Sequence, residues 1–284
     1  MTRYTIQHNS LHLEIDSLGA RITKLSHAGS ELMKPAKPDL QGYNGMVLAP
    51  WPNRIPDGKY SFQGIAHELE INEPDRNNAL HGFVFQREFE LIEKTEKQIT
   101  LSCNLFLTEG YPFKVKLILT YLLTDEGFQC DVLATNNSEL DAPFGVAFHP
   151  YFNVTDETTI ALPAKKRILT DQQMSPIGTE SNQLHNFRFS DVDLDDCFFD
   201  LDRNEQIAKT SIESTNQKLT LWQDQAFDFI MVYTTNEFDS VNGPEQAIAI
   251  EAQSCEANAF NTNPPLLRPG ESFKGSWGVQ VQTP

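Results

Sequence analysis

Two segments carry side chains able to move protons. Across residues 144–153 an apolar, strand-like run ends at His149, and Pro150 follows at once. Proline biases the residue before it toward extended geometry and ends a regular ladder. His149 is therefore expected at a strand end, with the aromatic faces of Tyr151 and Phe152 beside it. That setting suits a pocket for a polar ring with apolar C–H faces, and it equally suits a satisfied structural histidine. Across residues 247–253 a glutamate, Glu251, ends an apolar strand. Alternation puts Glu251 on the face of Ala247 and Ala249, opposite Ile248 and Ile250. A carboxylate partly desolvated among small side chains has a raised pKa and makes a competent general base. The bland alternative is an outward-facing strand glutamate. An imidazole and a carboxylate of different proton affinity suit paired proton transfer at neutral pH.

Three further positions suit gripping a polar substrate. The loop Ala49-Pro50-Trp51-Pro52-Asn53-Arg54 stiffens its backbone with proline and presents Arg54, whose fork fits vicinal hydroxyls or a carboxylate. His81 precedes Gly82 in a turn-like setting, so its ring is placed to face a cleft. Asp195 and Asp196 stand just before an aromatic strand, and either carboxylate can accept hydrogen bonds from hydroxyls. Each also reads as an ordinary residue: a surface arginine, a capping histidine, a solvated loop charge. Other chemistries lack support. There is no Gly-rich phosphate loop and no Gly-x-Ser-x-Gly elbow. His81, His149 and Glu251 form the only metal triad to weigh, as in a cupin-type enzyme, and no short-range ligand spacing supports it. No metal and no cofactor are expected. Cys103, Cys130, Cys197 and Cys255 make no CxxC pair, and Cys103 and Cys130 read as buried thiols.

The elements that must hold these residues show period two. Strand patterns fall at residues 11–15, 22–25, 59–62, 65–69, 90–94, 98–105, 115–124, 128–135, 219–222, 229–234, 247–252 and 276–281. Gln63-Gly64, residues 95–97 and Asp125-Glu126-Gly127 read as hairpin turns. No window carries an apolar stripe at helical period. The chain is thus expected to be all-β and antiparallel, packed sheet on sheet, as a single domain over residues 1–284. Irregular stretches are expected at 33–53, 72–80, 155–196, 236–244 and 255–269, and loops this long are often functional.

The chain has 284 residues and a net charge of −17. That balance argues against nucleic acid and against an anionic membrane surface, since both require clustered Lys and Arg. It also disfavours a strongly anionic substrate. No signal-peptide pattern and no apolar run near the ~20 residues of a membrane span are present. A cytoplasmic protein, monomeric or weakly dimeric, acting on a small molecule is the expectation.

Taken in order, these segments resemble the aldose 1-epimerase (galactose mutarotase) family. Asn53-Arg54-Ile55 is similar to its arginine loop, and Leu80-His81-Gly82 to its first histidine motif. Gly110-Tyr111-Pro112 with residues 119–123 resembles its central hairpin. His149-Pro150-Tyr151-Phe152-Asn153 resembles its catalytic histidine motif, and Ile250-Glu251-Ala252-Gln253 its catalytic glutamate motif. Asn258-Ala259-Phe260-Asn261 and Leu267-Arg268-Pro269-Gly270-Glu271 resemble its tail. The resemblance implies a β-supersandwich and cofactor-free interconversion of α and β anomers of a free aldose such as galactose or glucose. It implies Glu251 as the base on the anomeric hydroxyl and His149 as the acid on the ring oxygen. Arg54, His81 and Asp195, or Asp196 in its place, would orient the sugar. Hexose-6-phosphate mutarotases typically follow His-Gly-Phe with Ala-Arg. Val84-Phe85 stand here instead and disfavour a phosphorylated sugar, although Trp51-Pro52 and His81-Gly82-Phe83 lean toward that branch. A non-catalytic carbohydrate-binding protein on the same scaffold would not need both Glu251 and His149.

Overall fold

Strict alternation in the sequence becomes strict alternation of burial. In the strand Val115–Leu123 every second side chain from Val115 is buried and the rest are partly exposed. Its hairpin partner Gly127–Asn136 continues the pattern. The computed structural model describes residues 1–37, 41–106, 108, 110–215 and 217–282, so residues 38–40 of the stretch expected to be irregular at 33–53 lie outside the described residues. Lys59–Phe62 and Ile65–Glu68 form the expected tight hairpin, with Gln63 and Gly64 both at positive φ (51° and 79°). Two central residues at positive φ are what a type I′ turn requires.

Among the described residues two large antiparallel sheets dominate. A nine-stranded sheet runs Glu90–Lys94, Gln98–Leu105, Val115–Leu123, Gly127–Asn136, Ser272–Gln282, Gln217–Gln223, Ala208–Ser214, Thr159–Ala161, Asn186–Arg188. An eight-stranded sheet runs Pro176–Ser181, Ala164–Thr170, Asp195–Leu201, Phe229–Ser240, Gly243–Gln253, Ala147–His149, Met46–Leu48, and Tyr151–Asn153 also pairs with Gly243–Gln253. The sheets meet through one apolar core. Phe148 of the smaller sheet lies 5.1 Å from Trp277 of the larger, ring centre to ring centre. Ile230, Val232, Ile248 and Ile250 point into the same core and are at most 2% exposed. Burying such a side chain stabilises by about 1.5–3 kcal/mol. A one-residue slip would bring the polar face inward, so this core fixes the register.

Stretches expected to be irregular carry strands, Met46–Leu48 in 33–53, Asn78–Leu80 in 72–80 and Leu266–Leu267 in 255–269 among them. Residues 155–196 carry Thr159–Ala161, Ala164–Thr170, Pro176–Ser181 and Asn186–Arg188. Pro176–Ser181 and Asn186–Arg188 lie at sheet edges with most side chains exposed, so no buried face prints an apolar period on their sequence. Residues 236–244 lie in the long hairpin Phe229–Ser240/Gly243–Gln253, past a register shift between Thr235 and Phe238. The tip extends beyond the core and is correspondingly polar. The α-helix Ala259–Thr262 is a single turn, and no helix of the described residues is long and apolar enough to cross a membrane.

Candidate active site

The strand Gly243–Gln253 is the spine of the site. Ala147 pairs with Gln253 and Tyr151 with Ala249. Midway between these pairings His149 faces Glu251, where Pro150 interrupts the ladder for want of an N–H. On the other flank Met231 pairs with Glu251 and Tyr233 with Ala249; beyond them Cys197 pairs with Met231 and Asp195 with Tyr233. Side chains alternate across a sheet, so all of these share the face away from the core. Ala247 and Ala249 are fully buried and give that face a low floor, as alternation in the sequence leads one to expect.

Imidazole and carboxylate touch. His149 Nε2 lies 3.2 Å from Glu251 Oε1, and Gln253 Nε2 donates to Glu251 Oε2 at 2.9 Å. The residues are 6% and 2% exposed. Burial pushes the Glu251 carboxyl up to about 8, against the hydrogen bond from Gln253. Burial pushes the His149 imidazole down to about 3, and the Arg54 charge adds to that push. Both shifts favour neutral partners, so near neutral pH the pair holds one proton between them. The second ring nitrogen usually fixes a histidine tautomer through its own hydrogen bond. Nδ1 of His149 is buried without a partner among the described residues, leaving the proton able to sit on either Nε2 or Oε1.

Arg54 and His81 reach the pair from paired strands, Arg54–Pro56 and Asn78–Leu80, with Arg54 opposite Leu80. Asn53 clips His81 twice. Its carbonyl accepts from the His81 N–H at 2.8 Å, and its own N–H donates to His81 Nδ1 at 3.1 Å. The second bond makes Nδ1 an acceptor and places the ring proton on Nε2. Burial first, then the His149 and Arg54 charges, hold this imidazole well below its usual range. Its ring stands edge-on to His149, centres 5.6 Å apart. The following turn needs glycine: Gly82 has φ +66°, and a Cβ there would sit 2.0 Å from the Ala49 carbonyl oxygen.

Arg54 makes a bidentate pair with Glu73, Nε to Oε2 at 2.9 Å and Nη2 to Oε1 at 3.0 Å, and its Nη2 lies 3.5 Å from Asp195 Oδ2. Asn78 and Arg76 also donate to Glu73, at 2.8 and 3.2 Å. Burial works to raise the Glu73 pKa, but the bonds from Arg54 and Asn78 outweigh it and hold the carboxylate below its usual range. The two adjacent aspartates part company. Asp195 shares the Glu251 face, whereas Asp196 pairs with Val232, points the other way and lies 3.8 Å from Arg167.

Five residues singled out in the sequence therefore converge: Arg54, His81, His149, Asp195 and Glu251. Sequence reasoning missed Glu73, a charge in a polar loop with no local signal. It missed Tyr43, whose ring lies 4.6 Å from that of His81 and 6.3 Å from that of His149. It also missed Gln253, which period two places on the face of Glu251. A cavity of about 730 Å³ lies behind the Gly82–Phe83 turn beside Trp51 and Arg87, and none of the five residues lines it. Its size does not make it the seat of the chemistry. Two others adjoin the pair: one of about 190 Å³ over Tyr151 and Tyr233, and a slot against Arg54, Asp195 and Met231. No three His, Cys, Asp or Glu side chains among the described residues are grouped as metal ligands.

Known proteins resemble this chain in sequence and in fold. The aldose 1-epimerase family model matches residues 2–279. The uncharacterized protein YihR of Escherichia coli K12 is 31% identical over 278 residues, covering 90% of this chain and 85% of that one. The maltose epimerase of Levilactobacillus brevis is 25% identical over 260 residues, covering 77% and 74%. The crystal structure of the GalM/aldose epimerase homologue from C. elegans superposes with a TM-score of 0.87 at 17% identity, covering 99% of each chain.

Proposed function

Because this chain belongs to the aldose 1-epimerase family and is accordingly an isomerase, we propose that it interconverts the α and β anomers of a free aldose by acid–base ring opening and closure. The observation that carries this reading is the 3.2 Å contact between His149 Nε2 and Glu251 Oε1. The anomeric hydroxyl oxygen and the ring oxygen of a pyranose are both bonded to C1, so two groups in contact reach both at once. The shared proton moves to His149 Nε2 and leaves Glu251 as carboxylate. Glu251 takes the proton of the anomeric hydroxyl while His149 gives its proton to the ring oxygen, and the bond from C1 to that oxygen breaks. The open aldehyde turns about C1–C2, and closure on the other face returns both protons. Proton transfer of this kind contributes about 10²–10⁴-fold, and positioning adds to it.

Arg54, His81 and Asp195 orient the sugar. Galactose and glucose are the simplest substrates for this chemistry; the relative from L. brevis is named for maltose. Val84 and Phe85, where a phosphate-binding branch typically carries Ala-Arg, are 0% and 5% exposed, and Phe85 packs with Met46 and Leu48. A buried phenylalanine offers no charge to a phosphate, which favours an unphosphorylated sugar. The reading carries with it a cytoplasmic enzyme, monomeric or weakly dimeric, needing no cofactor. Polarimetry of freshly dissolved α-glucose and α-galactose tests it, with wild type, Glu251→Gln and His149→Ala compared. A wild-type protein no faster than buffer across a panel of free aldoses replaces it with a sugar-binding role.

A further inference from the structure

Sheet order decides which end of the sugar meets which side chains. His149 has the strand of Glu251 on one side and Met46, its register partner in Met46–Leu48, on the other. Residues 46, 48, 147 and 149 alternate onto the catalytic face, whereas Val47 and Phe148 join the main core. Met46, Leu48 and Ala147 form a separate apolar cluster on that face with Phe85, and Tyr43 packs against it. Neighbouring strands lie about 4.8 Å apart, so one pyranose spans the step from Glu251 past His149. With the anomeric hydroxyl at Glu251 and the ring oxygen at His149, C5 follows the ring oxygen on the side away from C1. The C6 group that C5 carries therefore points across His149 toward Met46, Phe85 and Tyr43.

That wall is apolar and firmly held. Met46 is fully buried and Phe85 is 5% exposed. Tyr43 stands edge-on to Phe85 at 5.2 Å and to His81 at 4.6 Å. It is only partly buried, so it presents the wall to the cleft. The turn that carries Phe85 is pinned from behind. The N–H groups of Phe83 and Val84 both donate to the Ala49 carbonyl, at 3.0 and 3.1 Å, and a Cβ on Gly19 would sit 2.7 Å from the Phe85 carbonyl oxygen. The polar groups at its border are the His81 ring and the Tyr43 hydroxyl, on which the Glu73 and Arg54 charges act. The side chains of Met46, Leu48, Phe85 and Ala147 carry no hydrogen-bond donor. A hydroxyl pressed onto such a surface loses water without gaining a partner, which weakens binding about tenfold. A methyl group in the same place is stabilised by its burial.

We propose that Tyr43 and Phe85 are specificity-determining residues that read the C6 end of the sugar, and that the preferred substrate is a 6-deoxyaldose, whose C6 is a methyl group. The ring opens and closes at His149 and Glu251 as before, and the methyl rests on the Tyr43–Phe85 wall. This rests on the mutarotase reading and adds the substrate class.

The test uses matched pairs that differ only at C6: 6-deoxyglucose with glucose, and 6-deoxygalactose with galactose. Xylose and glucose 6-phosphate run alongside, and polarimetry follows each freshly dissolved sugar. Each deoxy sugar is expected to exceed its parent in kcat/KM by about tenfold. Xylose, which lacks C6, is expected to fall about fourfold below 6-deoxyglucose. Phe85→Gln supplies a partner for the hydroxyl and Tyr43→Ala admits water beside it, so both are expected to bring the deoxy-to-parent ratio close to one. A ratio taken within one enzyme is not moved by a loss of folded protein. Tyr43→Ala, at a partly exposed position, decides the matter should Phe85→Gln not fold. Either parent turned over as well as its deoxy sugar, a ratio unmoved in the folded variants, xylose equal to 6-deoxyglucose, or preference for glucose 6-phosphate overturns the wall and leaves the mutarotase reading standing. Calorimetric binding of methyl 6-deoxyglucoside and methyl glucoside, which cannot mutarotate, separates the other failure. A deoxy preference that Tyr43→Ala abolishes, without turnover of any aldose, keeps the wall and removes the mutarotase reading. Neither binding nor turnover removes both.

Discussion

His149 and Glu251 are cross-strand neighbours, with Nε2 and Oε1 3.2 Å apart on one sheet face. Removing either end of this contact is expected to slow anomer exchange by about 10²–10⁴-fold. Glu251→Gln keeps the shape and the Gln253 contact while deleting the titratable proton. Its melting temperature is therefore expected to stay within a few degrees of wild type, and polarimetry alongside a thermal melt checks both halves. A variant that keeps wild-type speed would show that the carboxyl is a bystander.

The same pair sets the pH response. Glu251 rises from 4.5 to about 8 on folding, so the folded chain holds an extra proton in that window and stability drains as pH climbs through it. His149 falls from 6.5 to about 3, so its contribution is intact above 6.5 and lost as pH drops toward 3. The opposed slopes cancel between 4.5 and 6.5, leaving a net loss from pH 6.5 to 8 that Glu251→Gln should abolish. Urea unfolding of both proteins across that range measures it. The catalytic proton belongs to the pair as a unit, so kcat/KM should fall as pH passes about 8.

Asp195 and Asp196 differ by which way they face. Asp195→Asn is expected to raise KM for the sugar by about tenfold, the loss of one charge-assisted hydrogen bond. Asp196→Asn, on the opposite face beside Arg167, should leave KM close to wild type. Equal effects in steady-state kinetics would refute the facing argument.

Glu73 acts through Arg54. Glu73→Gln frees the guanidinium from its bidentate clamp, and both partners are only 10–15% exposed. The expected cost is about 1–3 kcal/mol of stability. KM should rise more than kcat falls, since Arg54 orients and does not transfer protons. A fall in stability with unchanged KM would make Glu73 a scaffold residue alone.

Much of this was legible in the sequence where one face of a strand is buried and the other is not. The hairpin Val115–Leu123/Gly127–Asn136 falls where period two places it. The break at Pro150 and the small floor at Ala247 and Ala249 could likewise be read from residue types. Strands such as Pro176–Ser181 could not, because their exposed side chains leave no apolar imprint. The pairing of residues 149 and 251 follows from the register of strands about a hundred positions apart, which no local pattern encodes. Glu73 was invisible for a related reason: its role exists only once the loop folds back on Arg54.

The backbone amide of Asn53 has a consequence for the kinds of sugar the cleft tolerates. By occupying His81 Nδ1 it turns that ring into a permanent donor that cannot swap its hydrogen to the other side. Next to it stands the Arg54 guanidinium, another group with hydrogens to give and no lone pair to offer. An amino sugar turning an ammonium toward these two side chains meets donors where it needs acceptors, the Asp195 carboxylate 3.5 Å from Arg54 being the offsetting charge, so glucosamine should be handled more slowly than glucose while its nitrogen is charged and Asp195→Asn should widen that gap.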